Sequence, residues 1–208
     1  MRQAGTPALL SDLLDKTMVA LIGFAGTGKY TIGRELCRRT GAKLIDNHLI
    51  NNPIFTVVNA DGITPLPKAI WGKVKAVRQV VYESIKELSP PDMSFVFTIQ
   101  LIEDDPEDHK AFVDLVELAA ARESLFVPIR LICDVDELCR RIVNPARVKM
   151  IKEVSPESAR RRAADHAVLN PLHPNLRTID VTCKSAIESA EEILREIKAM
   201  RDNEIGRS

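Results

Sequence analysis

The segment GFAGTGKYT, Gly23–Thr31, is the part of the chain whose residue types and spacing most clearly predict chemistry. It matches the G-x-x-x-x-G-K pattern of a phosphate-binding loop, and it stands between an apolar run and a segment of helical periodicity. Glycines let the backbone approach a phosphate, and successive N–H groups at a helix N-terminus favour the anion. Lys29 adds a cation for the outer phosphates of a nucleotide. The residues expected to contact the phosphates are Gly23, Ala25, Gly26, Thr27, Gly28, Lys29, Tyr30 and Thr31.

Tyr30 departs from this pattern, because the position usually holds a Ser or Thr whose hydroxyl ligates Mg²⁺. The phenol oxygen lies farther from the backbone and cannot take the same position without rearrangement. Thr31 could supply a hydroxyl instead, or water could bridge, since Mg²⁺ keeps several waters in most nucleotide sites. The other interpretation is a nucleotide binder with slow or absent chemistry.

Two further groups of polar residues could act on a phosphate or on its acceptor. Asp46 ends an apolar run in the sequence KLIDNH, where it could serve as a base or cap the next turn. Residues 140–162 are strongly basic and are opposed only by Glu153 and Glu157. Arginine suits phosphate oxygens, although part of this cluster could be a solvated helix face. The basic residues are Arg140, Arg141, Arg147, Lys149, Lys152, Arg160, Arg161 and Arg162.

Apolar runs alternate with amphipathic segments along the chain and predict βα units. The predicted strands are residues 17–24, Lys43–Asp46, Ser94–Gln100, Leu125–Cys133 and Leu176–Thr182. Helical spacing appears over Ile70–Leu88 and over about Ala186–Met200. Helix starts are predicted at Thr64-Pro65, Asp105-Pro106, Ser155-Pro156, Asp134/Glu137 and Ser185/Glu188. A count of about five strands and six or more helices predicts a three-layer α/β/α sandwich with right-handed crossovers.

The composition restricts the class of protein. Twenty-nine basic residues balance twenty-nine acidic ones, so no overall field favours nucleic acid or an anionic membrane. No apolar run approaches the roughly 18–20 residues that span a bilayer, and no signal peptide is visible, so we expect a cytoplasmic protein. The four cysteines lack metal-ligand spacing and are expected to be free thiols. We expect one domain, 1–208, in which residues 1–16 form a short extra helix or a loose arm.

On the loop, the strand spacing and the basic segment, the chain resembles the P-loop small-molecule kinases, the group that contains shikimate kinase, adenylate kinase and chloramphenicol phosphotransferase. The resemblance spans about residues 17–200. It implies a kinase-like P-loop NTPase fold whose five-stranded parallel sheet has the order 2-3-1-4-5. It also implies a lid at about residues 144–162 and the use of ATP and Mg²⁺.

The resemblance also implies roles for single residues. Lys29, Arg141 and Arg147 would balance charge on the transferred phosphoryl group. Asp46 would orient or deprotonate the acceptor hydroxyl. The polar stretch Asn51–Pro67 lies where such kinases bind their acceptor.

An acidic residue that holds Mg²⁺ through water is expected after the third strand. Asp104 or Glu103 stands there, whereas Asp105 is better explained as a helix cap before Pro106. Thr31 is the hydroxyl that could join Asp104 at the metal.

Three functional hypotheses follow from these features. The first is transfer of the ATP γ-phosphoryl group to a hydroxyl of a small metabolite or antibiotic. The second, suggested by Tyr30, is an ATP-binding switch or slow ATPase with weak or no kinase activity. Nucleic-acid binding is disfavoured by the neutral net charge and the few aromatic residues. The acceptor and the oligomeric state stay open.

Overall fold

A five-stranded parallel sheet organises the computed structural model of the protein. The structure describes residues 14–58, 60–61, 64 and 66–205. The strands are β1 Thr17–Ile22, β2 Lys43–Asp46, β3 Phe95–Ile99, β4 Leu125–Ile132 and β5 Arg177–Asp180. They lie in the order β2-β3-β1-β4-β5, and all neighbours are parallel. The predicted fold class and strand order are therefore confirmed.

Helices pack on both faces of the sheet and complete the sandwich. They are α1 Lys29–Thr40, α2 Asn47–Val57, α3 Ile70–Leu88, α4 Pro106–Ala121, α5 Val135–Ile142, α6 Pro156–Asp165 and α7 Ala186–Ile205, and a 3-10 helix spans Pro145–Met150. Leu36 of α1 and Ile193 of α7 belong to the apolar cluster on one face. Ile85 of α3 and Leu115 of α4 belong to the cluster on the other.

The central strand β1 supports the loop that follows it. All its residues are buried, because a strand with helices on both faces needs apolar side chains in both directions. Val19 and Leu21 join one cluster, whereas Met18 and Ala20 join the other. The glycine-rich loop therefore begins at the most enclosed part of the fold.

Most predicted helix starts are confirmed by capping hydrogen bonds. Asp105, Ser155 and Asp134 each accept from N–H groups in the first turns of α4, α6 and α5. Ser185 and Glu188 cap each other before α7. The Ser185 N–H donates to Glu188 Oε2 at 2.8 Å, and the Glu188 N–H donates to Ser185 Oγ at 3.2 Å.

The connection between β2 and α3 differs from the prediction. The stretch Asn51–Pro67 is polar and turn-rich in sequence, but α2 occupies its first part and contains Pro53. Proline removes a helical N–H donor and so signals a break, whereas here apolar side chains of α2 pack against α3. The predicted start at Thr64-Pro65 is also wrong, because α3 begins at Ile70. Pro65 itself lies outside the described residues.

Most of the predicted N-terminal arm lies outside the described residues, which begin at Leu14. Leu14 is buried in the cluster that contains α1 and α7. None of the described helices is long and apolar enough to cross a membrane.

Arg122 joins three elements from a buried position, and we predict that it stabilises the fold. Its Nη1 donates to the Ile85 carbonyl at 2.5 Å and its Nη2 to the Pro90 carbonyl at 2.6 Å. The guanidinium also lies 5.2 Å from the centroid of the Phe95 ring. Because Arg122→Met would leave carbonyl groups without a donor, we expect the free energy of unfolding in urea to fall by about 2–3 kcal/mol.

Arg195→Met is the matched control, since Arg195 is exposed on α7. We expect this change to alter the free energy of unfolding by no more than about 0.5 kcal/mol. Equal losses in the two variants would contradict a structural role for the Arg122 hydrogen bonds.

Candidate phosphate-binding site

A cleft of about 1280 Å³ opens at the carboxyl edge of the parallel sheet. The segments that follow β1, β2 and β3 all contribute to its lining, together with α3 and the basic segment after α5. Ligands of parallel α/β sheets bind in this kind of crevice, outside the carboxyl ends of the strands. Its polar lining includes Lys29, Asp46, Asn51, Arg78, Arg147 and Lys152.

The loop between β1 and α1 has the backbone conformation that its glycines predict. Gly26 and Gly28 have φ angles of 92° and 85°, in the left-handed region that favours glycine. A Cβ atom at Gly23 would lie 2.9 Å from the carbonyl oxygen of Leu131. That oxygen belongs to the backbone of β4 and cannot move away easily. The loop can therefore wrap closely and present N–H groups at the start of α1.

Lys29 turns its ammonium group back toward this loop. The Nζ atom donates to the carbonyl oxygens of Gly23 at 2.6 Å and Phe24 at 2.7 Å. Burial, followed by the charge of Arg147, lowers the pKa of Lys29 from 10.5 to about 7, and Asp46 opposes this shift. A phosphate beside Lys29 would favour the ammonium form. The group is thus placed to gain a proton when an anion enters.

Asp46 is a buried carboxylate at the carboxyl end of β2, with 3% of its surface exposed. Oδ1 accepts a hydrogen bond from Thr98 Oγ1, and Oδ2 lies 3.3 Å from Lys152 Nζ. Asp46 occupies the N-cap position of α2, but its side chain forms no capping hydrogen bond there. The carboxylate lines the cleft instead, which is the arrangement that a role in binding or catalysis requires.

Lys152 lies at the centre of the cleft although the sequence did not distinguish it from the other basic residues of its segment. Besides its contact with Asp46, its Nζ lies 4.3 Å from the centroid of the Tyr30 ring, a cation–π geometry. The Asp46 contact joins residues 106 positions apart. No local pattern reveals such a pair, so only the folded chain identifies Lys152.

The predicted lid segment contributes two arginines to the cleft. Arg147 Nε donates to the Glu153 carbonyl oxygen at 3.0 Å, and burial lowers the pKa of Arg147. Arg162 forms an ion pair with the Glu153 carboxylate, in which Nη2 lies 2.9 Å from Oε1. Both arginines line the cleft. Arg160, by contrast, is exposed and pairs with Asp136, as expected of a solvated helix face.

Arg141 is held apart from Arg147 by its own partners. Its Nη2 donates to the carbonyl oxygens of Val181 and Thr182, both at 2.9 Å. It reaches the edge of the main cleft and also lines a second groove of about 220 Å³, which Thr31 shares. The two arginines that were predicted together thus have different surroundings.

The side of the cleft formed by α2 and α3 carries polar atoms without partners. Within the described chain, His48 Nδ1, Asn51 Oδ1 and Arg78 Nε are buried and accept or donate no hydrogen bond. Burial lowers the pKa of His48 to about 4, so its ring is neutral at physiological pH. Phe55 and Trp71 meet edge to face nearby, with centroids 6.1 Å apart. Buried polar atoms of this kind are normally satisfied by a ligand or by ordered water.

The two side chains that were predicted to hold Mg²⁺ do not line the cleft together, because only Thr31 belongs to its lining. Thr31 Oγ1 donates to a loop carbonyl at 2.8 Å. Asp104 accepts from His166 Nδ1 at 2.9 Å and is not among the residues that line the cleft. After β3 the cleft has Gln100, whose Oε1 accepts from the Ala25 N–H. No group of three or more His, Cys, Asp or Glu among the described residues could hold a metal ion.

Several solved structures of known proteins are similar to this chain in fold. No family model and no curated protein match the chain. A gluconokinase from Sinorhizobium meliloti 1021 has 14% identity and a TM-score of 0.64, over 93% of this chain and 98% of that one. A sugar kinase from Janibacter sp. HTCC2649 has 15% identity and a TM-score of 0.58, over 88% and 94%. A thymidylate kinase from Candida albicans has 14% identity and a TM-score of 0.54, over 90% and 93%. The chain therefore has the fold of the P-loop kinases of small molecules.

Proposed function

We propose that the protein is an ATP-dependent phosphotransferase that acts on a hydroxyl group of a small-molecule acceptor. The observation that carries the proposal is that Lys29 and Asp46 line one cleft and interact electrostatically. A phosphate loop alone would serve any nucleotide hydrolase. A carboxylate beside it adds a group that can aim a hydroxyl at the γ-phosphorus. The kinase fold supports the same reaction class.

In this reaction the bond between the γ-phosphorus and the bridging oxygen of ATP breaks, and a bond to the acceptor oxygen forms. The loop N–H groups and Lys29 would hold the phosphates, while Arg147 and Arg162 would neutralise the oxygens of the moving phosphoryl group. Asp46 would accept a hydrogen bond from the acceptor hydroxyl and take its proton late, because an ordinary aspartate is a weak base. The lid segment would exclude water during transfer.

The acceptor that the cleft favours is a polar, hydroxylated molecule with a negatively charged group. Asn51 and His48 offer unpartnered atoms for hydroxyl groups. Arg78 lines the same cleft, and its Nε is buried without a hydrogen-bond partner within the described part of the chain. Trp71 adds an apolar wall beside them. The gluconokinase and the thymidylate kinase are named for unlike acceptors, so their likeness supports the reaction class and not one compound.

Tyr30 favours a second candidate function, a nucleotide-binding ATPase or switch with weak or no kinase activity. The phenol ring packs on Lys152 at the position where most phosphate loops have a hydroxyl ligand for the metal. The two candidates differ in one measurable property. A phosphotransferase releases ADP faster when its acceptor is added, whereas a switch releases it slowly at a rate that no acceptor changes.

Asp46→Asn is predicted to remove acceptor-dependent turnover. The amide keeps the shape of the side chain but cannot take the hydroxyl proton, so we expect kcat to fall by about 10²–10⁴-fold. The measurement is ADP release in a coupled assay, with sugar acids, hydroxy acids and sugar phosphates as a panel of acceptors.

Asp114→Asn is the control, because Asp114 is another carboxylate of the cleft lining. It should retain kcat within about threefold. Unchanged turnover in Asp46→Asn would contradict the role of Asp46, and an acceptor panel without effect on the wild-type protein would favour the ATPase.

Lys29 is predicted to take up a proton when ATP binds above neutral pH. Its folded-state pKa of about 7 lies below the ordinary 10.5, so between these values the unfolded chain binds more protons and stability from this group rises with pH. At about pH 8.5 the free amine must become ammonium beside the phosphates, whereas at about pH 6 it is already charged.

Calorimetry in buffers of different ionisation enthalpy measures this uptake. We expect nearly one proton per ATP at about pH 8.5 and none from this group at about pH 6. Lys29→Arg is the control, because a guanidinium stays charged at both values. Equal uptake by the wild-type protein and Lys29→Arg would assign the proton to another group.

Arg78→Met is predicted to weaken acceptor binding alone. Loss of the guanidinium should raise KM for an anionic acceptor by about tenfold or more, since a hydrogen bond to a charged group contributes about 1.5–3 kcal/mol. KM for ATP should stay unchanged. The control is Lys75→Met, whose ammonium already pairs with Glu107 at 3.1 Å. A rise in KM for ATP in Arg78→Met would place Arg78 at the nucleotide instead.

A further inference from the structure

The ammonium group of Lys152 lies between the buried carboxylate and the phosphate loop. It contacts Asp46 at 3.3 Å and the Tyr30 ring at 4.3 Å, and its residue is 7% exposed. Lys152 also lowers the pKa of Lys29 through its charge. The two ammonium groups therefore occupy the same region, where the outer phosphates of a nucleotide bound to the loop would lie.

The ammonium group has more donors than partners. It carries three N–H bonds, and within the described chain the side chain of Lys152 donates one hydrogen bond, to Asp46. The face of the Tyr30 ring attracts the charge but is not a conventional hydrogen-bond acceptor. Lys152 thus keeps a donor for a phosphate oxygen while Asp46 and Tyr30 hold the group in place.

The backbone beside Lys152 is held in a conformation that brings this side chain inward. Ile151 has a φ angle of 51°, which is unfavourable for a β-branched residue. Its side chain packs against the apolar cluster of α2 and α3 that contains Phe55 and Val74. Strain of this kind persists only where the surrounding packing fixes the backbone. The packing of Ile151 therefore helps to hold the neighbouring Lys152 in its position in the cleft.

The loop position that usually supplies a metal ligand has no short hydroxyl in this chain. Tyr30 stands where a short hydroxyl would ligate Mg²⁺, and its ring is covered by Lys152. Asp46, a buried carboxylate of the cleft, is already paired with Lys152. Gln100 follows β3 in place of an acid. The ammonium group of Lys152 thus lies beside the loop position where a metal ligand usually stands.

We propose that Lys152, held by Tyr30 and Asp46, is a built-in cation that binds the nucleotide phosphates, so that ATP binding by this chain does not require a divalent metal. The inference rests on the proposed function, because it presupposes that ATP binds at the loop. It adds a binding residue to that site and explains why a tyrosine is compatible with it. Mg²⁺ that accompanies ATP in solution would need no ligand from the protein.

The first experiment compares binding of AMP-PNP, an ATP analogue that is not turned over, in excess Mg²⁺ and in EDTA. Isothermal titration calorimetry of the full-length wild-type chain gives both dissociation constants. We expect them to agree within about threefold. A loss of affinity of about tenfold or more in EDTA would overturn the proposal without touching the proposed function.

The second experiment repeats the comparison with Lys152→Met and Tyr30→Thr. Without the ammonium, Asp46 is an uncompensated anion that repels phosphate and can attract a metal. We therefore expect Lys152→Met to lose about tenfold or more in EDTA and less in Mg²⁺. Tyr30→Thr removes the ring face and supplies a hydroxyl, so its binding should also become dependent on Mg²⁺.

Lys110→Met is the matched control, since Lys110 is another lysine of the cleft lining. It should bind equally in both conditions, as the wild-type protein does. Lys152→Arg, which keeps the charge, should also bind without metal and serves if Lys152→Met does not fold. Equal losses by Lys152→Met in both conditions would overturn the proposal. Absence of AMP-PNP binding by the wild-type protein would overturn the proposed function together with this inference.

Discussion

The buried charge of Asp46 determines how the cations of the cleft are arranged. A carboxylate with 3% exposure loses most of its hydration, and such a charge is stable in a protein only when it is paired and hydrogen-bonded. Thr98 and Lys152 provide that pairing from β3 and from the segment after α5. Through Lys152 the segment after α5 contacts the end of β2 and contributes to the lining of the cleft. The burial of this one carboxylate thus goes together with the inward position of the segment that carries Lys152.

The strand order makes this pairing compatible with the phosphate loop. β3 lies between β2 and β1, and Asp46 is in register with Thr98 while Ile22 is in register with Ile99. The end of β2 is therefore one strand removed from the start of the loop, a separation that a phosphoryl group and an acceptor hydroxyl can fill. Gln100 directly follows β3. Its Oε1 accepts a hydrogen bond from the Ala25 N–H at 3.0 Å, which connects the end of β3 to the loop after β1.

The sequence predicts those parts of the protein that depend on local physics. Left-handed glycines such as Gly26 and the caps at Asp105 and Ser185 are properties of a few neighbouring residues, and the structure has them where the pattern indicates. The helix through Pro53 was missed because its stability comes from packing on α3 and not from its own sequence. The pairing of Lys152 with Asp46 was not predicted, since the two residues lie far apart along the chain.

The apolar side chains of the cleft form a cluster of their own, which meets the packing of the sheet at the partly buried Ile45 and Val81. Two large clusters cover the faces of the sheet, whereas a small third cluster joins α2, α3 and Ile151 of the lid segment. Elements that move around a ligand belong to parts of a fold with few buried contacts. Because Ile151 precedes Lys152, the cluster that includes Phe55 also contacts the segment that carries this cation. The α2–α3 side of the cleft is thus connected to the segment that carries Lys152 through side-chain packing, while the loop follows the buried strand β1.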